Sequence, residues 1–249
     1  MEKTVVELSE IAPHIVQVTM QDRVHKNTFS VELISGLISA FESIGRDKNS
    51  KAVILTGYDS YFSSGGTQEE LLTLQAGKMK FTDIGIFSLA LECPVPVIAA
   101  MQGHGIGGGF VMGLFCDFVI LSRESVYTTN FMKYGFTPGM GATYILPKKL
   151  GVSLSTEMLM NAERYRGEEL KNRGVPFPVV PRKNVLDTAL QLASGLAEKP
   201  RESLIILKDH LVASMRHELP KIIEQEVAMH EKTFQLTEVK EKITALFGH

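Results

Sequence analysis

The sequence predicts an α/β chain, a spiral of strand–strand–helix units followed by a helical tail. Three observations predict it. Short apolar segments recur ahead of helical patterns through the first 199 residues. One stretch, 96–121, runs from an apolar strand through a glycine-rich turn into a second apolar segment. After Pro200 no strand pattern remains, and apolar residues recur at helical spacing. The boundaries drawn from this are a spiral core over 1–199 and a helical region over 200–249.

Each element has a local reason. Residues 4–8 and 14–20 alternate or run apolar like paired strands. Ser30 ahead of Val31, Glu32 and Leu33 marks a helix start, and Leu33, Leu37, Ile38 and Phe41 follow at helical spacing. A strand over 52–56 leads through a polar loop into Phe62-Ser63-Ser64-Gly65-Gly66. Residues 67–91 read as helix, loop, helix, with the weakly periodic stretch Gln75–Lys80 expected to be mobile. A buried strand over Val95–Ala100 enters the turn Gly103-His104-Gly105-Ile106-Gly107-Gly108-Gly109, and a helix starts near Gly108. A short strand at 125–129 precedes helices at 153–162 and 183–198, with Pro176, Pro178 and Pro181 breaking the chain between them. The tail reads as two helices, 201–215 and 219–246, divided at Pro220. Leu219, Ile222, Ile223, Val227, His230, Phe234, Ile243 and Leu246 form an apolar stripe that contains one histidine.

Composition narrows the functional classes. At 249 residues and 44% hydrophobic content there is enough chain for one substantial core. A formal net charge of -2 with no dense basic run offers nothing to nucleic acid. No apolar run is long enough to span a bilayer, and the start, with Glu2, Glu7 and Glu10, has no signal-peptide character. The two cysteines, Cys93 and Cys116, sit in apolar surroundings and read as buried thiols of a reducing compartment. A soluble cytoplasmic protein is the expectation. No His, Cys, Asp or Glu cluster has metal-ligand spacing, so no metal is expected.

The glycine-rich turn carries the chemistry. Glycine permits close approach of the backbone to a ligand. A helix start leaves its first N–H groups without partners, at the positive end of the dipole, where they can hold a developing negative charge. The phosphate loop is excluded because no lysine follows the glycines. Gly103, Gly105 and Gly108 fit the dinucleotide spacing, but the turn lies far into the chain and no acidic ribose partner ends the next strand.

The second glycine segment, Val53-Ile-Leu-Thr-Gly57 with Phe62 to Gly66, changes the balance. Together with Pro96 to Gly109 it resembles the two signature segments of the crotonase (enoyl-CoA hydratase/isomerase) superfamily. Gly135-Phe-Thr-Pro-Gly-Met-Gly-Ala-Thr143 is similar to a third family segment, and the likeness extends over nearly the whole chain. The resemblance implies a crotonase-like spiral of strand–strand–helix units, with C-terminal helices that cap the core and pack between subunits of a homotrimer. It also implies an oxyanion hole for a thioester enolate, whose N–H donors map onto Gly66 and Gly108.

Two departures from the family pattern bear on the reaction. Hydratases carry two glutamates that handle water; at those places this chain has Val111 and Phe131, neither able to move a proton. An enolate hole without water-handling groups suits decarboxylation of a conjugated acyl thioester. Such a site needs a cation for the carboxylate, an acid for carbon, and an apolar wall, here Val111 and Phe131. Lys78 and Lys80 follow the first glycine segment; if that segment is helical, they point about 200° apart, so one can face the substrate. Lys80, followed by Phe81, is the choice; the alternative is two solvated lysines. His230 is either the acid or a hydrogen-bonded core residue.

The pattern resembles a narrower group within the family, the decarboxylases of polyketide β-branching. That likeness implies conversion of a 3-methylglutaconyl to a 3-methylcrotonyl-type thioester. The acyl chain would ride on the phosphopantetheine of an acyl carrier protein, with no further cofactor. Lysine and histidine at the Lys80 and His230 positions would be the catalytic pair. His104 could line the pocket or serve a structural hydrogen bond, and Lys133 and Tyr134 could border it. Lys26 and Asn27 are candidates for a carrier-side contact; His210 and His217 read as exposed helix residues. Two other functions share these residues, double-bond isomerisation and a non-catalytic carrier-binding module. A plain hydratase fits least.

Overall fold

The structure is a computed structural model that describes residues 4–76 and 85–246. From the N-terminus come β1 (Val6–Ala12), β2 (Ile15–Met20), α1 (Val31–Arg46), β3 (Ala52–Thr56) and β4 (Tyr61–Ser63). Next are α2 (Gln68–Gln75), α3 (Leu89–Glu92), β5 (Val97–Met101), β6 (His104–Ile106), α4 (Gly108–Leu114), β7 (Phe118–Ser122) and β8 (Val126–Thr128). The chain continues through α5 (Ala142–Leu150), α6 (Val152–Asn161), β9 (Tyr165–Arg166), α7 (Gly167–Asn172), β10 (Val179–Val180) and α8 (Val185–Ala197). It closes with α9 (Arg201–Thr233) and α10 (Thr237–Leu246).

Two sheets organise these elements. The larger has the order β1-β2-β3-β5-β7-β10, antiparallel at β1–β2 and parallel elsewhere. The smaller has the order β4-β6-β8-β9, parallel except at β8–β9. Successive pairs β3 and β4, β5 and β6, β7 and β8 therefore lay one strand in each sheet before the chain moves on. That repeat is the expected spiral.

The central strands β3, β5 and β7 are buried on both faces, which is why they are near-continuous apolar runs, whereas β1 and β2 mix polar and apolar residues. On one face Ile54, Ile98 and Ile120 meet Val185, Ala189 and Ala193 of α8, whose small side chains admit the helix. On the other face Val53, Leu55, Val97, Leu121 and their neighbours join the main core with α1 and α4. Ser30 caps α1 as expected, its hydroxyl accepting from Leu33 N–H at 3.2 Å. Lys208 ties α9 to the core, its ammonium 2.7 Å from Asp117 and donating to the Ala90 and Val95 carbonyls at 2.8 and 3.0 Å. Cys93 and Cys116 are buried free thiols, and burial pushes Cys116 up to about 12.

Several sequence expectations change. His104 lies on a strand, β6, within what reads as a plain turn. Of the four strands of the smaller sheet only β8 was expected; β4, β6 and β9 have two or three residues each, too short for period-2 alternation to register. α9 runs straight through Pro220 instead of ending there. Val212, Leu219 and Ile223 pack on the same core on either side of the proline, and continuing the helix keeps all three buried. Lys78, Lys80 and most of the stretch expected to be mobile lie outside the described residues. Among the described residues no helix is long and apolar enough to cross a membrane.

Candidate active site

The smaller sheet brings the two glycine segments together. β4 pairs with β6 through Tyr61 and His104 and through Ser63 and Gly105, so the residues that follow each strand emerge side by side. Gly65 has φ +77°, and a Cβ there would lie 2.6 Å from the Ile106 carbonyl oxygen and 3.4 Å from the Gly108 nitrogen. Gly107, at φ +54°, donates to the Thr128 carbonyl at 2.8 Å, and its own carbonyl accepts from Phe110 and Val111 to launch α4. Gly108 is the first residue of α4, where the N–H has no intrahelical carbonyl to meet. Among the described residues neither the Gly66 nor the Gly108 N–H makes a hydrogen bond.

A buried loop braces this cradle. Asn27 donates to the Met20 and Phe62 carbonyls at 3.0 and 2.9 Å and accepts from Asp22 N–H, while Phe29 N–H donates to the Gly65 carbonyl at 2.8 Å. Asn27 is fully buried and braces the fold; it is not available as a carrier-side contact. Lys26 beside it does reach the cavity, with its ammonium 5.8 Å from the Tyr61 ring centre.

Gly66 and Gly108 both line an open cavity of about 470 Å³. Phe131, Phe136, Met140 and Leu71 give it apolar walls. Lys26, Lys133 and Arg164 add positive charge, and burial with the neighbouring Arg164 charge holds Lys133 below the ordinary ammonium range. Tyr134 borders the cavity as well, stacked on Phe136. Val111, expected in the wall, is fully buried in α4 and is not part of the described lining, whereas Phe131 is. The helical turn carries Val111 into the core behind Gly108.

One carboxylate reaches the described lining, that of Glu70. It accepts from Thr67 N–H at 2.7 Å while Thr67 Oγ1 accepts from Glu70 N–H at 3.0 Å, a reciprocal cap on α2. Burial raises its pKa, against the two hydrogen bonds. The Thr-x-x-Glu capping signal at 67–70 is legible in the sequence.

His104 lines the cavity and accepts from Val126 N–H through Nδ1 at 2.9 Å. That bond leaves the ring proton on Nε2. Burial, and then the Arg182 and Arg166 charges, lower its pKa. His104 thus makes a structural bond and lines the cavity at once.

His230 sits apart from the cavity. It is buried at 5% exposure in a crevice with Phe87, Gly139, Met140, Ile223, Glu226 and Val227. The crevice has no room for a water molecule. Its ring packs edge-on to Phe136 and Phe234, with Nδ1 3.3 Å from Thr137 Oγ1. A Cβ on Gly139 would lie 2.3 Å from Nε2, so only glycine fits beneath the ring. Burial pulls the imidazole down to about 4.

Glu226, one helical turn before His230, was not foreseen. Its carboxylate accepts from Gly141 N–H at 2.7 Å, Thr143 N–H at 2.9 Å and Thr143 Oγ1 at 2.5 Å, capping α5. Burial raises its pKa against those bonds. A single buried glutamate on a long helix has no short-range signal; its partners lie more than eighty residues away.

Comparison with known proteins places this geometry. Residues 10–247 match the family described as enoyl-CoA hydratase/isomerase. The chain is 67% identical to the bacillaene synthase decarboxylase PksI of Bacillus subtilis (strain 168), over 100% of both sequences. It superimposes with TM-score 0.97 and 67% identity on a solved structure from a dehydratase/decarboxylase enzyme couple involved in polyketide β-branching, covering 98% of this chain and 100% of that one. The ECH2 decarboxylase domain of CurF from Lyngbya majuscula follows at TM-score 0.93 and 45% identity, covering 97% and 99%. A probable mitochondrial enoyl-CoA hydratase of Dictyostelium discoideum is 27% identical over 88% of this chain and 79% of its own. With the glycine cradle, the two-sheet spiral and the helical tail all in place, the chain belongs to the enoyl-CoA hydratase/isomerase family, the crotonase superfamily.

Proposed function

We propose that this protein decarboxylates a 3-methylglutaconyl-type thioester on the phosphopantetheine arm of an acyl carrier protein, yielding a 3-methylcrotonyl-type thioester in polyketide β-branching. It is a crotonase-family decarboxylase, in keeping with its full-length likeness to PksI. The observation that carries the reading is the character of the cavity around the two glycine donors. Its one described carboxylate is engaged in capping α2, and Phe131, which the family resemblance puts at the place of a hydratase glutamate, forms part of its wall. The cradle remains and the water-handling groups do not.

The thioester oxygen accepts from the Gly66 and Gly108 N–H groups. The bond between the distal carboxylate and its carbon breaks, and the electron pair moves through the double bond onto that oxygen as CO2 leaves. The resulting dienolate takes a proton at the carbon that lost CO2. Donors preorganised for such charge are worth about 2.7–4 kcal/mol each. The positive lining from Lys26, Lys133 and Arg164 suits an anionic substrate. Lys80 orients the carboxylate and His230 returns the proton. A carboxylate arriving beside the neutral imidazole raises its affinity for that proton. The carrier protein and a homotrimer in the cytoplasm complete the reading.

Intact-mass analysis of a 3-methylglutaconyl carrier protein incubated with the enzyme tests it. Loss of CO2 that slows by about a hundredfold or more in folded Lys80→Ala and His230→Ala variants is the expected result. Unchanged mass with a shifted double bond would make the protein an isomerase. Tight carrier binding with no reaction would make it a sheltering module.

A further inference from the structure

Met140 occupies an unusual place. It is a non-glycine residue at φ +61°, set between Gly139 and Gly141. Such a conformation is unfavourable for an L-residue with a long side chain. It is maintained because Glu226 holds the next backbone N–H, that of Gly141, at 2.7 Å. Met140 lines both spaces described above, the acyl-sized cavity and the crevice of His230. A Cβ on Gly108 would meet the Met140 sulfur at 2.6 Å and its methyl at 3.2 Å, so the thioether lies directly against the oxyanion glycine. On its N-terminal side, Gly139 lies against the His230 ring.

We propose that the Met140 side chain is a movable partition between the acyl cavity and His230, and that it sets which acyl chains the site accepts. Closed, it walls off the imidazole from the cavity. Turned aside by a branched acyl chain seated on the cradle, it joins the crevice to the cavity and exposes Nε2. Methionine suits this task because it is unbranched, with three rotatable bonds and a polarisable sulfur, so it can swing without moving the backbone. The backbone itself is fixed by Glu226 on one side and by the close His230–Gly139 packing on the other. Phe136, which lines the cavity and touches the His230 ring, is stacked on Tyr134 and Phe234 and forms the rigid part of the same wall.

The role of His230 as the acid and the acyl selectivity rest on the decarboxylase reading; the separation of cavity from crevice by Met140 does not. Two readouts keep them apart. The first is residue-resolved labelling of His230 by diethylpyrocarbonate, followed by peptide mass analysis, in wild type and in Met140→Ala. Shortening the side chain should speed labelling of His230 several-fold while His210 and His217, on the same helix, keep their rates. Met140→Gly serves as the second variant, because glycine adopts this backbone conformation without strain and guards against misfolding. The second readout is kcat/KM for 3-methylglutaconyl against unbranched glutaconyl carrier thioesters. Removing the partition should shrink that discrimination by about tenfold, the worth of roughly one methyl-sized contact. Unchanged His230 labelling in both folded variants would overturn the proposal, as would unchanged acyl selectivity. A wild type that releases no CO2 would sink the decarboxylase reading, with the labelling result still deciding the partition.

Discussion

The glycine cradle and the histidine crevice stand on two sides of Met140 and are built on opposite principles. The cradle uses backbone N–H groups, positioned by pairing of two three-residue strands and by the start of α4. It is open to a cavity of about 470 Å³. The crevice uses a side chain of α9, closed off from water and bonded to Thr137 in the loop before α5. A backbone site withstands substitution of most side chains around it and fails only where a Cβ intrudes. A side-chain site is lost with one substitution and is sensitive to its electrostatic surroundings. The two regions should therefore break in different ways.

The largest expected effect falls on the cradle. Gly65→Ala must place a Cβ 2.6 Å from the Ile106 carbonyl at a positive φ, and backbone cannot yield as a side chain can. The Gly66 donor shifts off the thioester oxygen, and kcat should fall by about 10³-fold, the upper end for loss of one oxyanion donor. Steady-state CO2 release by the folded variant measures it. A loss under about tenfold would mean that the Gly66 N–H does not hold the developing charge.

On the crevice side the expected effect is on stability against pH. The folded His230 titrates at about 4, below the 6.5 of an unperturbed imidazole, because burial disfavours its charged form. The unfolded chain then binds the extra proton between those values, so stability rises with pH across that window. The contribution is fully present above about pH 6.5 and is lost as pH falls toward 4, up to roughly 3 kcal/mol. Urea midpoints of wild type and His230→Gln measured from pH 7 to 4 should diverge, with the wild type falling more steeply. Parallel curves would place the imidazole in contact with solvent.

His230→Ala tests the same side by rate. Removal of a positioned acid costs about 10²-fold in kcat at the low end of general-acid effects, with KM for the carrier thioester little changed. Equal losses in kcat for His230→Ala and for Met140→Ala would mean that the histidine acts by packing alone.

How much of this was legible in the sequence follows from the same contrast. Gly66 and Gly108 were readable because glycine runs between apolar strands leave a local signature, and the helix starts where the glycines end. Ser30 and the apolar strand 52–56 were readable for the same reason, each determined by neighbours within four residues. Phe131 lines the cavity and Val111 does not, since a helix turn of about 100° per residue decides which side chain faces it. His230 could be singled out on its stripe, yet its crevice could not, because Gly139 and Met140 meet it from across the fold. Pro220 misled for the complementary reason: local propensity favoured a break, and burial of Val212, Leu219 and Ile223 outweighed it.

The smallest expected effect links the two regions. Glu226→Gln keeps the size of the side chain but replaces one carboxylate oxygen with an amide donor. Gly141 N–H and Thr143 N–H then compete for a single acceptor, and one buried N–H is left without its bond at a cost of about 1–3 kcal/mol. Because burial disfavours the carboxylate's charge, part of that cost is returned when the charge is removed. The net loss should be about 1 kcal/mol in the urea midpoint analysis. The turn it holds carries Met140 on the cavity side and Gly139 against His230, so loosening it acts on the crevice and not on the β4–β6 pairing that positions the cradle. His230 labelling should rise in Glu226→Gln while affinity for a thioester enolate analogue stays the same. If analogue affinity fell together with the rise in labelling, the two regions would be one mechanical unit and the contrast drawn between them would fail.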